Sequence, residues 1–109
     1  MRAWIYLGLA IASEVLATSA LKASQGFTRL VPSLVVVAGY LTSFFLLSLA
    51  LKTLPLGLTY AVWSGIGTAA MALVGIFVWQ ESMSVGQWLG LGLIIVGVVL
   101  LNVLGTSHA

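Results

Sequence analysis

Glu14 and Glu81 are the only acids in the chain, and their surroundings differ: Glu14 lies inside an apolar run, Glu81 between two such runs. An ionised side chain at the centre of a bilayer costs at least about 2.5 kcal/mol, and intramembrane acids mark ion and proton pathways by default. No Lys or Arg stands at matching depth in any apolar segment to offset that cost. Glu14 is therefore expected to hold a proton when nothing else is bound, or to be ionised opposite a positively charged ligand. One state excludes the other, which is the chemistry of exchange. The plainer reading is a neutral carboxylic acid hydrogen-bonded to a neighbouring helix. Glu81 reads as a solvated surface charge.

Leu7, Ala10 and Thr18 stand at helical spacing around Glu14. Slim side chains leave room for a cavity, although they also mark close helix packing. Tyr40, Ser43, Phe44 and Leu47 share a face of a second apolar segment, and Tyr60, Trp63 and Gly67 a face of a third. Rings in mid-segment offer cation–π attraction and apolar contact to a hydrophobic cation. Ordinary packing, with the Tyr and Trp polar atoms bonded locally, is the alternative. Gly65 and Gly67 weaken the third segment and could act as a conformational hinge, or they could admit a second helix at close range. Gly86 and Gly90 form a Gly-x-x-x-Gly pattern, and Gly90, Leu93 and Gly97 are expected at a dimer contact.

Such residues need helices to position them. Of the 109 residues, 61% are hydrophobic and 6% charged, against about 25% charged in a soluble domain. A crossing takes about 20 apolar residues, and four segments qualify, at about 4–21, 30–51, 56–79 and 85–104. The polar stretches between them, Lys22 to Arg29, Lys52 to Pro55 and Gln80 to Ser84, suit membrane surfaces. The segments are continuously apolar rather than alternating, so helices are expected and a barrel is not. The expectation is an all-α membrane protein with one four-helix transmembrane domain over residues 1–109. Trp4 to Ala12 followed by Ala17 to Ala20 imitates a cleaved signal, but Glu14 inside it and three further apolar segments favour retention.

The four cations, Arg2, Lys22, Arg29 and Lys52, are scattered, so no nucleic-acid surface is expected. With no Cys and His108 as the sole histidine, thiolate chemistry is excluded and neither a metal site nor a cofactor is expected. Arg2 and Lys52 fall on one side of the membrane, Lys22 and Arg29 on the other. That balance favours neither orientation, so two copies could pair antiparallel as a homodimer. An oriented monomer or a parallel dimer is the alternative.

Over essentially its whole length the chain resembles the small multidrug resistance family. The resemblance lies in Ala10-x-x-x-Glu14-x-x-x-Thr18, Lys22, Gly26-Phe27-Thr28-Arg29-Leu30, Pro55-x-Gly57, the run from Tyr60 to Gly67, and Gly90 with Gly97. It implies antiparallel, dual-topology homodimers in the bacterial inner (plasma) membrane. The two Glu14 residues would then form one shared site, and proton entry would drive export of toxic cations. Ala10, Leu16 and Tyr40 are similar to the quaternary ammonium and multidrug subtype; guanidinium exporters usually carry Gly and Trp at the first two positions and no Tyr at the third. The expected activity is proton-coupled antiport of hydrophobic and quaternary ammonium cations. Guanidinium export, polyamine export with a second chain, and a non-transporting membrane subunit are the alternatives. A channel would need more polar lining than Thr18, Ser43, Ser64 and Thr68 offer. An enzyme would need a nucleophile and base pair that Glu14 lacks.

Overall fold

The computed structural model describes residues 2–104, which form four α-helices and no strand. These are α1 (Arg2–Ala23), α2 (Leu30–Ala50), α3 (Leu56–Phe77) and α4 (Val85–Leu104). All four are long and apolar enough to cross a membrane, so the chain is an all-α, multi-pass membrane protein. His108 lies outside the described residues. The helices divide into two compact hairpins, α1 with α2 and α3 with α4, parted between Thr53 and Leu54.

In the first hairpin, α1 buries Ala3, Leu7, Ala10 and Ala17, with Ile11 beside them. Alternating steps of four and three residues draw one stripe along the helix, and Glu14 falls on that stripe between Ala10 and Ala17. The buried positions of α2 are Val36, Ser43 and Ala50, seven apart, with Tyr40 between the first two on the same side. Small residues let the two backbones approach. A Cβ on Gly39 would stand 2.8 Å from the Cβ of Ala17 and 3.3 Å from the Ser13 carbonyl oxygen, so a larger residue there would force the helices apart. The Ser43 hydroxyl donates to the Ala10 carbonyl oxygen at 2.8 Å, closing the seam with a buried polar bond.

The turn between α1 and α2 is built on Ser24, which is fully buried. Its hydroxyl donates to the Leu21 carbonyl at 2.7 Å and accepts from the Phe27 amide at 3.1 Å. Its carbonyl accepts from the Thr28 and Arg29 amides. Gln25, Gly26 and Phe27 have φ of 50°, 74° and 65°. Three successive left-handed residues reverse the chain within a few positions, and only Gly26 adopts that conformation without a steric penalty.

The second hairpin is held differently. α3 runs unbroken through Gly65 and Gly67, and the space that a Gly65 side chain would occupy is taken by Val98 of α4, with Ile94 beside it. Gly65 thus gives α4 a close approach. α3 stops at Phe77, two residues before the expected Trp79, because Gln80 turns left-handed at φ 57° and the Glu81 amide folds back to the Gly75 carbonyl. α4 opens on a reciprocal cap, as Ser84 Oγ accepts from the Gln87 amide at 3.2 Å while Gln87 Oε1 accepts from the Ser84 amide at 2.8 Å. No residue of α4 is buried.

Candidate functional site

The candidate site grows from the seam of the first hairpin. Glu14 is half-buried on the α1 stripe that faces α2. One turn on, the Thr18 hydroxyl donates to Glu14 Oε2 at 2.6 Å. The same hydroxyl lies 2.6 Å from the Tyr40 hydroxyl of α2. Tyr40 stacks on Phe44, the ring centroids 6.1 Å apart and the planes 18° from parallel. The result is a continuous line of polar atoms, Glu14 to Thr18 to Tyr40, ending in an aromatic pair.

The chemistry of that line is set by counting hydrogens. A threonine hydroxyl has one to give. When Thr18 gives it to the Glu14 carboxylate, Tyr40 must be the donor to Thr18. When Glu14 carries the proton, the direction can reverse, with Glu14 donating to Thr18 and Thr18 to Tyr40. The protonation of a residue on α1 is thereby coupled to the hydrogen-bond role of a residue on α2.

Ala10 and Leu7 are buried, at 0% and 1% exposure, and Ala10 is joined to α2 through the Ser43 bond. They form the floor on which Glu14 stands rather than an open wall beside it. Phe44 and Tyr60 are exposed, at 56% and 67%, and present ring surface outward. Trp63 is half-buried on α3, and with Tyr60 it belongs to the second hairpin. Gly65 and Gly67 are buried within α3. On α4, a Cβ added at Gly90 or Gly97 would meet nothing within 4 Å, and Leu93 is 72% exposed. Within the second hairpin, no described residue fills the space at Gly90 or Gly97. Among the described residues, no group of three or more His, Asp or Glu side chains could hold a metal ion.

Two features escaped sequence reasoning. Thr18 was legible as a slim neighbour of Glu14, but its bond to Tyr40 depends on the register of α1 against α2, which no spacing within one helix reveals. Ser43 was legible as part of an aromatic face, while its partner is a backbone carbonyl with no sequence signature. The close approach at Gly39, whose added Cβ would meet Ala17, is what brings both pairs within bonding distance.

Comparison with known proteins supplies independent findings. The family model described as Small Multidrug Resistance protein matches residues 2–94. The quaternary ammonium compound-resistance protein QacF of Klebsiella aerogenes is 51% identical over 109 residues, covering 100% of this chain and 99% of its own length. The quaternary ammonium compound-resistance protein QacE of Escherichia coli is 46% identical over the same shares. A multidrug transporter of Pseudomonas aeruginosa is 45% identical over 94% of this chain and 93% of its own.

Proposed function

The chain belongs to the small multidrug resistance family, whose members are transporters and not enzymes, and from that premise we propose that it exports hydrophobic and quaternary ammonium cations in exchange for protons. It is a multi-pass protein, and its bacterial relatives indicate the inner membrane. The quaternary ammonium resistance named for two full-length relatives supports the substrate class. The observation that carries the mechanism is the Glu14–Thr18–Tyr40 line. An acid whose hydrogen-bond partners suit either protonation state can release its proton to bind a cation and take it back to expel one.

In this mechanism a cation docks against ionised Glu14, with Tyr40 and Phe44 of the same hairpin supplying ring faces. A proton arriving from the acidic side neutralises Glu14 and removes the charge that held the cation. Deprotonation on the other side restores the site. Two copies in opposite orientations pair through Gly90, Leu93 and Gly97 of α4, each chain acting as one transmembrane domain. The two Glu14 carboxyls then share one site. Bending of α3 at Gly65 and Gly67 alternates access. Exchange requires only that proton and cation compete.

The test is substrate-triggered charge movement in liposomes holding the purified protein, with a bulky quaternary ammonium ion, guanidinium, and Glu14→Gln. Currents for the quaternary ammonium ion that vanish in the variant, with its assembly intact, are the expected result. Currents for guanidinium alone would reassign the substrate and keep the mechanism. No Glu14-dependent current for either cation would overturn the reading in favour of a non-transporting subunit.

A further inference from the structure

A second polar feature stands at the end of the first hairpin where α1 begins and α2 finishes, apart from the Glu14 line. Arg2, Ala3 and Tyr6 of α1, with Leu49, Lys52 and Thr53 at the end of α2, line a groove of about 250 Å³. Two cations from separate elements thus converge on one recess, with the Tyr6 and Thr53 hydroxyls beside them as hydrogen-bonding groups.

Nothing in the hairpin neutralises this pair. The only acid in residues 1–53 is Glu14, twelve residues along α1 from Arg2 and so about 18 Å away at the helical rise. Neither Arg2 nor Lys52 has an ion-pair partner among the described residues. Both are exposed, so their charges are available to a ligand. The recess therefore selects for an anion with several acceptor oxygens, which is the chemistry of a phosphate group.

Location identifies the source of that phosphate. The groove lies at the ends of two helices of membrane-crossing length, with Trp4 in the same turn as Arg2, a residue type that settles at the headgroup layer. Lipid phosphates lie at that height, and Ala3 and Leu49 give the recess apolar wall for the glycerol and upper acyl chain. Basic pockets between membrane helices bind anionic headgroups. We propose that this groove binds an anionic phospholipid, its phosphate bridging Arg2 and Lys52. The inference rests on the hairpin alone and is independent of the transported substrate.

Native mass spectrometry of the full chain released from detergent tests it, with phosphatidylglycerol, phosphatidylcholine and inorganic phosphate as separate additives. The wild type should retain phosphatidylglycerol in preference to phosphatidylcholine. The double substitution Arg2→Gln with Lys52→Gln should lower that retention roughly tenfold or more. Lys22→Gln with Arg29→Gln, which removes the same net charge from the opposite end, should leave it within about twofold, as should the charge-conserving Arg2→Lys with Lys52→Arg. Equal loss with either neutralising pair would reduce the effect to diffuse charge attraction and overturn the site. Retention of inorganic phosphate without preference for phosphatidylglycerol would equally overturn the lipid assignment, as would equal retention of the two lipids.

Discussion

If Tyr40 acts on Glu14 through Thr18, the two hydroxyls form a series, and their removal must be non-additive. Thr18→Val keeps the shape of the side chain but deletes the donor to Glu14 Oε2 at 2.6 Å, and it also strands the Tyr40 hydroxyl. A hydrogen bond to a charged acceptor is worth about 2 kcal/mol, so cation binding that depends on ionised Glu14 should weaken roughly 30-fold. Tyr40→Phe keeps the ring and its stack on Phe44 and deletes only the outer bond. A neutral bond worth about 1 kcal/mol gives roughly a fivefold loss. Independent contributions would multiply to roughly 150-fold in the double variant, whereas a series predicts no more than the roughly 30-fold of Thr18→Val alone. Isothermal titration of a quaternary ammonium ion into the four detergent-solubilised proteins measures the cycle. Losses that multiply would refute the series and give the Tyr40 hydroxyl a contact of its own with the substrate.

Two further outcomes concern packing. Gly39→Ala places a Cβ 2.8 Å from that of Ala17 and should destabilise the first hairpin by about 1–3 kcal/mol; adding Ala17→Gly should recover much of this in denaturant unfolding, and failure to recover would mean that the seam is set elsewhere. Gly97→Leu fills open space, so it should leave the helices intact by circular dichroism while abolishing cross-linking of the proposed homodimer. Persistence of the dimer would remove α4 from the proposed contact.

The helices were legible because each apolar run is long enough to span and is bounded by residues that suit a surface. Their ends were less so: α3 stops at Phe77 through the left-handed turn at Gln80, a backbone event that hydropathy does not register. Glu14 was legible for the same reason as the helices, since a charge in an apolar run contradicts its neighbours. Thr18, Tyr40 and Phe44 were each visible as residue types, but their connection required the register between α1 and α2. Gly65 shows the limit of reading one helix at a time. Its sequence signal suited a hinge, with a close approach as the alternative, and the position of Val98 gives the close approach a definite partner.

The two hairpins use unlike means of cohesion, and the bilayer explains why both suffice. Apolar surface exposed to lipid tails carries no penalty of the kind it would in water, so α4 can leave every residue unburied without being unstable in a membrane. By the same argument, exposure alone gives α4 no reason to find a partner. Association in lipid is driven by close packing and polar bonds, so the relevant features of α4 are the unfilled positions at Gly90 and Gly97, where a second helix could approach as closely as α2 approaches α1 at Gly39. In the first hairpin the polar line from Tyr40 through Thr18 ends on the carboxyl that costs most to keep there. A bundle selected for stability alone would replace Glu14 with an apolar residue and lose nothing from its seam, because Ser43 and Ala10 already bond across it. Under the proposed function, what keeps the acid on that stripe is what binds to it, a proton or another positive charge.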